Sequence, residues 1–115
     1  MTREPPGGLF MVTDALTALN RRRVFEFAAE HRLPAMYEFE ELVRVGGLMS
    51  YGPAMGELQE RVAGLIDGIL KGTKPAELPF EQPMRFRFVI NLKTAKALGL
   101  TVPQSILARA DEVIE

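Results

Sequence analysis

The sequence predicts an α/β domain whose strands form a parallel sheet through βαβ units. Three short apolar runs, at residues 9–13, 35–37 and 48–50, have the composition of buried strands, and each is followed by a helical segment. Strands and helices that alternate at this spacing favour right-handed βαβ crossovers. The 115 residues, of which 47% are hydrophobic and 25% charged, suffice for one small globular domain with its own core.

The first predicted strand and helix lie between residue 9 and His31. The run 9–13 is continuously apolar up to Thr13, which indicates burial on both faces of the sheet. Thr13 or Asp14 can cap the following helix, because both side chains accept hydrogen bonds from free backbone N–H groups. The helix is predicted to extend to about His31, with apolar residues at helical spacing: Leu16, Leu19, Val24, Phe27 and Ala28.

Two further strands and a brief helix are predicted before the middle of the chain. Pro34 ends the first helix and introduces the second strand at residues 35–37. A brief helix over residues 39–45 ends at the glycine pair 46–47, and the third strand follows at residues 48–50.

A long amphipathic helix is predicted to begin at Pro53, because the first turn of a helix tolerates proline. Gly72 suits the position after the C-terminus of this helix. The proline-rich residues 74–84 are predicted to cross the domain in an extended conformation. The apolar stripe of the helix consists of Met55, Leu58, Val62, Leu65, Ile66 and Ile69.

The last predicted elements are a strand, a short helix and a second helix that begins at a proline. A strand with one wetter face, near an edge of the sheet, is favoured by the alternation of Phe86, Phe88 and Ile90 with Arg85, Arg87 and Val89. The short helix is predicted to end at Gly99, and Pro103 begins the final helix.

Polar side chains follow the three predicted parallel strands at their carboxyl ends. Ligands of open α/β sheets bind at this end of the strands, where the loops converge. Tyrosine rings suit an apolar or planar part of a ligand, and carboxylates and hydroxyls suit its polar groups. The sequence therefore predicts a ligand site formed by Asp14, Tyr37, Glu38, Ser50 and Tyr51.

Each of these residues also has a purely structural interpretation. Asp14 can serve only as the cap of the first helix, and Tyr37 can pack beneath the next loop. Glu38, Glu40 and Glu41 are typical of a helix N-terminus, where carboxylates complement the helix dipole. The convergence of several polar side chains on one rim favours the ligand site more than any one residue does.

Composition excludes several kinds of chemistry. The chain has no cysteine, which excludes disulfides, thiolate catalysis and cysteine-ligated metals. His31 is the one histidine, and no nucleophile, base or metal cluster is assembled, so we predict no enzyme activity, no metal and no cofactor. The net charge of −1 gives no reason to expect a nucleic acid or membrane partner. Residues 21–23, all arginine, are better assigned to a solvated helix face than to a phosphate or lipid site.

Six segments of the chain occur in the order and spacing of a known family. The last of them contains Ile90-Asn-Leu-Lys93, Ala97-Leu-Gly99, Val102-Pro103 and Ala110-Asp-Glu-Val-Ile114. Over about residues 8–115 the chain resembles the solute-binding proteins of ABC importers, and most closely the branch related to tryptophan- and tyrosine-type binders. The six segments are residues 20–24, 28–37, 46–53, 69–75, 78–83 and 85–115.

The resemblance implies a type I periplasmic binding protein-like fold with two lobes, of which this chain is a truncated C-terminal portion. It implies a single α/β domain at 8–115, and the proline and glycine residues before it predict a flexible leader at 1–7. It also implies a small amino-acid-like or aromatic ligand held between the lobes and delivered to a membrane permease. The family's second-lobe ligand positions then match Asp14, Tyr37 with Glu38, and Ser50 with Tyr51.

Location and assembly follow from the same observations. Residues 1–8 lack the apolar stretch of a signal peptide, and no apolar run is long enough to span a membrane. We expect a cytoplasmic protein if Met1 is the native start, and a periplasmic one if the chain belongs to a longer exported protein. A sheet without its earlier strands exposes an unpaired edge, so we expect a homo-oligomer formed through that edge. The alternative function is a free-standing oligomerisation or interaction module without transport or ligand binding.

Overall fold

A computed structural model describes residues 6–83 and 85–115 of the chain. Residues 1–5 of the predicted leader and Met84 of the predicted crossing segment lie outside this description. The described strands form one five-stranded sheet in the order β1-β2-β3-β4-β5, which confirms the predicted α/β class. The strands are β1 Leu9–Met11, β2 Ala35–Tyr37, β3 Met49–Pro53, β4 Phe86–Asn91 and β5 Glu112–Ile114. The helices are α1 Ala15–Leu19, α2 Arg21–Glu30, α3 Glu40–Arg44, α4 Met55–Leu70, α5 Leu92–Ala97 and α6 Gln104–Leu107.

Contacts between residues divide the chain into two compact units, and each is described by itself. The larger unit contains the described residues up to Gly52 together with Arg87–Glu115. The smaller unit, Pro53–Phe86, contains α4, a 3₁₀ turn at Pro75–Glu77 and a segment without regular structure that follows the turn. A single domain over residues 8–115 stays a prediction.

The sheet is mostly parallel, with one reversal. β1 pairs with β2, β2 with β3, and β4 with β5, all in parallel. Asn91 N donates a hydrogen bond to Leu48 O at 2.7 Å, and Ala54 N donates to Arg85 O at 3.1 Å. These bonds join the end of β4 to the start of β3 and the start of β4 to the end of β3, so the two strands are antiparallel. The carboxyl ends of β1, β2 and β3 therefore share one edge of the sheet with the amino ends of β4 and β5.

The strand β5 is absent from the sequence prediction, which continues a helix after Pro103. The structure ends that helix at Leu107. Asp111 then exchanges two hydrogen bonds with Phe88: Asp111 N donates to Phe88 O at 2.8 Å, and Phe88 N donates to Asp111 Oδ2 at 2.7 Å. This exchange sets the register of β5 beside β4, so β4 is an interior strand and its predicted position near an edge is wrong.

The predicted first helix is two helices, separated at Asn20. The Asn20 side-chain amide donates to Leu16 O at 2.9 Å, and Arg21 Nη1 donates to Ala18 O at 3.0 Å. These bonds satisfy carbonyl groups that a continuous helix would have paired with the next turn, so α1 ends here. Residues 21–23 lie in the first turn of α2 and not in the middle of a long helix.

The middle of the chain differs from prediction at one boundary. β3 extends to Pro53, so this proline ends a strand, and α4 begins only at Met55. The other end of α4 is as predicted, because Gly72 follows the C-terminal cap with φ of +109°, a conformation that glycine adopts without steric strain.

The core of the larger unit lies on the sheet face covered by α2 and α3. The Phe25 ring meets the Tyr37 ring edge to face, with 5.4 Å between centroids and 86° between planes. Aromatic pairs of this geometry contribute about 0.5–1.5 kcal/mol beyond the area that they bury. A second buried cluster joins Leu48 to Ala95 and Leu98 of the α5 region. The first cluster consists of Met11, Ala28, Ala35, Tyr37 and Leu42, with Leu9, Val24 and Phe25 packed against it.

The close approach of two backbone segments at Gly52 generates a prediction about stability. A Cβ at this position would overlap the carbonyl oxygen of Glu38, which is backbone and cannot rotate away. We expect Gly52→Ala to lower the free energy of unfolding by roughly 1–3 kcal/mol, measured by urea denaturation with circular dichroism. Gly64→Ala is the matched control, because a Cβ there meets open space within α4 and should add up to about 1 kcal/mol. Equal stability of the two variants would contradict the predicted overlap.

Candidate ligand-binding site

The carboxyl ends of β1, β2 and β3 are connected through Glu38. The Thr13 backbone N–H donates a hydrogen bond to Glu38 Oε2 at 2.7 Å. Hydrogen bonds to a carboxylate are stronger than those between neutral groups. The Glu38 carbonyl oxygen lies against Gly52 at the end of β3. One residue thus holds the ends of the three strands together, and its carboxylate is engaged within the protein.

Two hydroxyl groups, one just after β1 and one in β3 opposite the end of β2, are buried without a hydrogen-bond partner in the described part of the chain. They are Thr13 Oγ1 and Ser50 Oγ, and Ser50 is only 1% exposed. An unsatisfied buried polar group destabilises a fold by about 1–3 kcal/mol. Because β2 lies between β1 and β3, two strand spacings place the hydroxyls on the order of 10 Å apart. Both oxygen atoms are shielded from solvent, so a ligand or water that bonds them must enter the packed region beside β2.

Thr13 is absent from the predicted site residues, although it belongs to the same strand end as Asp14. The sequence places a hydroxyl there but contains no sign that its backbone bonds Glu38 while its side chain stays unpaired. That distinction depends on the packing of β1 against β2.

Asp14 lies at the rim and caps α1. Thr17 N donates to Asp14 Oδ1 at 2.7 Å, and Asp14 N donates to Thr17 Oγ1 at 2.8 Å, which together form a capping box. The hydrogen bond from the Thr17 backbone, and then that from its side chain, hold the pKa of Asp14 below its usual value of 3.8. The carboxylate is therefore charged at neutral pH, and the structural interpretation of Asp14 holds. A ligand contact by Asp14 stays a prediction.

The structure does not bring the two tyrosines together. Tyr37 is 1% exposed in the core, and burial raises the pKa of its hydroxyl to about 12. Tyr51 follows Ser50 in β3 and is exposed, so the two neighbours face opposite sides of the sheet. A ligand at the rim can meet the Tyr51 ring without contacting Tyr37.

A network of two arginines and two glutamates stands at the same edge of the sheet. Arg87 donates to Glu40 Oε2 at 2.7 Å and to Glu112 Oε2 at 3.1 Å. Arg44 donates to both oxygens of Glu112, at 2.9 and 2.7 Å. The hydrogen bonds from Arg44, with its charge and those of Arg87, lower the pKa of Glu112. The four charges balance each other across α3, β4 and β5, which no local sequence pattern indicates.

Metal and membrane sites can be assessed for residues 6–83 and 85–115. Within these ranges no group of three or more histidine, aspartate or glutamate side chains lies close enough together to hold a metal ion. None of the helices described there combines the length and the hydropathy needed to cross a bilayer.

The sequence pattern of the ABC transporter substrate binding proteins matches residues 3–114 of the chain. The chain belongs to this family. No curated protein sequence matches this substrate-binding protein closely enough to count as a relative.

Three solved structures share the fold of this substrate-binding protein. An ABC domain from Streptococcus pneumoniae in complex with L-Trp is 30% identical, with a TM-score of 0.83 over 94% of this chain. A conserved domain protein from Vibrio cholerae is 24% identical, with a TM-score of 0.85 over 93%. A ligand-free, open substrate-binding protein with adhesive properties from Clostridium difficile is 22% identical, with a TM-score of 0.62 over 92%.

The substrate-binding protein described here is short beside these three. It spans 37% of the Streptococcus chain and 36% of each of the other two. The neighbours confirm the periplasmic binding protein-like α/β fold that the resemblance implies.

The lowered pKa of Glu112 generates a prediction about pH. A carboxyl group whose folded pKa lies below its usual 4.5 stabilises the fold above that value and loses this contribution as pH falls through the folded pKa. Glu112→Gln removes the titrating group. We therefore expect the wild type to lose more of its free energy of unfolding than Glu112→Gln between about pH 5 and pH 3. The control is Glu30→Gln, an exposed glutamate outside the ion pairs of the described residues. The same pH dependence in wild type and Glu112→Gln would show that the network adds no stability.

Proposed function

We propose that this chain is the C-terminal portion of the substrate-binding component of an ABC importer and forms one side of its ligand site. The ligand is a small amino-acid-like or aromatic metabolite. The family match over residues 3–114 supports the importer, and the L-Trp in the Streptococcus structure supports the class of ligand. In this role the protein binds without catalysis, in the periplasm as part of a longer exported chain, and delivers the ligand to a permease.

The observation that carries this proposal is a pair of buried hydroxyls: Thr13 Oγ1, just after β1, and Ser50 Oγ, in β3 opposite the last residue of β2. This end of the strands is where open α/β sheets bind ligands. A hydroxyl group can donate to a carboxylate or accept from an ammonium group, so either hydroxyl suits a polar group of an amino acid.

The other rim residues complement the same ligand. The charged Asp14 carboxylate suits an ammonium group, because opposite charges attract. The exposed Tyr51 ring suits an aromatic side chain. Glu38 acts on the ligand indirectly, since its carboxylate fixes the Thr13 backbone.

The first experiment measures the melting temperature of the chain with L-tryptophan and a panel of amino acids and aromatic acids. At a ligand concentration of 100 times Kd, binding adds about 2.7 kcal/mol to stability. We expect Ser50→Ala to weaken binding about tenfold, because it removes one polar contact, and so to lower this stabilisation to about 1.4 kcal/mol at the same ligand concentration.

The stability of the unliganded variant tests the same argument. Replacing an unpaired buried hydroxyl with hydrogen should leave the unliganded chain as stable as the wild type or more stable. A Ser50→Ala chain that is less stable without ligand, or equally stabilised by ligand, would contradict the assignment of Ser50 to the site. Ser105→Ala is the matched control, because it makes the same change at an exposed position of α6 and leaves both buried hydroxyls in place.

A second candidate function is supported by the edge of the sheet. β1 is an edge strand, with Phe10 and Val12 58% and 61% exposed at and just beyond it. Edge strands with exposed apolar residues pair readily with another strand. We propose that two copies associate through β1, which suits a free-standing oligomerisation or interaction module as well as a part of a transporter.

Association through β1 predicts an effect of Phe10→Lys on molecular mass in solution. A charge on the edge strand opposes strand pairing, so the variant should be monomeric where the wild type is dimeric or larger, as measured by light scattering after gel filtration. Phe80→Lys is the matched control, since Phe80 is an exposed phenylalanine of the smaller unit. A monomeric wild type at low micromolar concentration would refute association through this edge.

A further inference from the structure

The larger unit contains a cavity that lies away from the strand-end rim. It has a volume of about 380 Å³ and lies between α2 and α5, over β2 and the start of β3. Its base is formed by Ala35, Tyr37 and Leu48, and the Phe25 ring forms one wall. Thr13 and Ser50 do not line it, so it is separate from the proposed ligand site at the strand ends.

Small side chains on the two facing helices leave this space open. α2 contributes Ala28 and Ala29, and α5 contributes Ala97. Protein interiors are normally packed as tightly as organic crystals, and methyl-sized side chains on opposed helices cannot fill the interval between them. The volume is within the roughly 300–1,000 Å³ of small-molecule pockets.

Charged groups stand at the entrance of the cavity, and they differ in their pairing. Glu26 forms an ion pair with Arg22 at 3.3 Å. Lys93 also lines the cavity and takes part in none of the ion pairs found among the described residues. The Thr94 hydroxyl donates to Gly46 O at 3.1 Å and is thereby satisfied. The entrance therefore offers one unpaired cation to a ligand.

We propose that this cavity is a second ligand site that binds a small aromatic carboxylate, with the ring between α2 and α5 and the carboxylate on Lys93. An apolar interior with Phe25 and Tyr37 suits a flat hydrocarbon ring, because aromatic rings pack favourably edge to face. The single cation at the entrance makes an acid a better ligand than its neutral analogue.

Tyr37 connects this cavity to the core. Burial raises the pKa of its hydroxyl to about 12, so the group is protonated and uncharged at neutral pH. An uncharged hydroxyl does not repel the anionic ligand, and it can donate a hydrogen bond. The site requires no residue of the strand-end rim.

The test uses phenylacetate as the probe and phenylacetamide as its neutral analogue. In a titration followed by nuclear magnetic resonance, phenylacetate should shift the signals of Phe25, Tyr37 and Ala97 to saturation. Phenylacetamide should bind about three- to tenfold more weakly. Lys93→Gln should reduce the affinity for phenylacetate to that for phenylacetamide and leave the neutral probe unaffected.

A variant that fills the cavity completes the design. Ala97→Leu adds three carbon atoms at an exposed helical position that lines the cavity and should weaken both probes at least about tenfold. Ala63→Leu makes the same change on an exposed part of α4, in the smaller unit, and should leave binding unchanged.

Three results would overturn the proposal. They are the absence of saturable shifts up to about 10 mM probe, shifts confined to Thr13 and Ser50, and equal binding by wild type and Ala97→Leu. If Ala97→Leu does not fold, Lys93→Gln still decides the result, because it changes a charge and no packing. A negative result with phenylacetate does not contradict the proposed strand-end site, because that site is tested separately with amino acids and Ser50→Ala.

Discussion

The arrangement of the strand ends depends on the contacts of one residue, Glu38. Its carboxylate accepts the Thr13 N–H, and its carbonyl oxygen lies so close to Gly52 that no side chain fits there. Backbone pairing alone makes β1, β2 and β3 neighbours, but it joins only a few residues of each strand. Glu38 adds a connection across all three at the one edge where backbone pairing ends. The positions of the buried hydroxyls of Thr13 and Ser50 follow from this connection.

The reversal of β4 gives the same edge its charge balance. If β4 were parallel to β3, Arg87 would stand at the opposite edge of the sheet, far from Glu40 at the start of α3. In the observed direction Arg87 reaches both Glu40 and Glu112, and Arg44 completes the network. Exposed ion pairs contribute little individually, but linked bidentate pairs hold their geometry better. The network therefore fixes the amino ends of β4 and β5 beside the carboxyl ends of β1 to β3, and its own four charges cancel.

The sequence predicts local features of this fold better than relations between distant segments. Apolar runs predict the α/β class, and Pro34 predicts the start of the strand Ala35–Tyr37. The conformational freedom of glycine predicts Gly72 after α4. All three are properties of adjacent residues. The strand β5 could not be predicted, because its three residues are too few to show an alternation of apolar and polar side chains. Its register comes from the hydrogen bonds between Asp111 and Phe88, which are distant in sequence. The direction of β4 and the engagement of Glu38 likewise depend on partners tens of residues away.

The same distinction applies to the site. Polar residues at strand ends are visible in the sequence, and their edge of the sheet follows from parallel pairing. Their individual roles are not visible, because Asp14 is occupied as a cap and Tyr37 is in the core. The cavity between α2 and α5 is even harder to predict from the sequence, because it arises from alanines on two helices whose packing the sequence does not reveal.

The two buried hydroxyls bear on the choice between a binding protein and an association module. A module that only pairs through β1 gains nothing from an unpaired hydroxyl at Ser50, since alanine would fill nearly the same space without the penalty of about 1–3 kcal/mol. For a domain of this size, with a total stability of roughly 5–15 kcal/mol, two such penalties are a substantial fraction. A ligand that bonds both hydroxyls recovers the penalty on binding, so the unsatisfied state adds to affinity. The proposed ligand would therefore account for the buried hydroxyls of Thr13 and Ser50, and association through β1 alone would not.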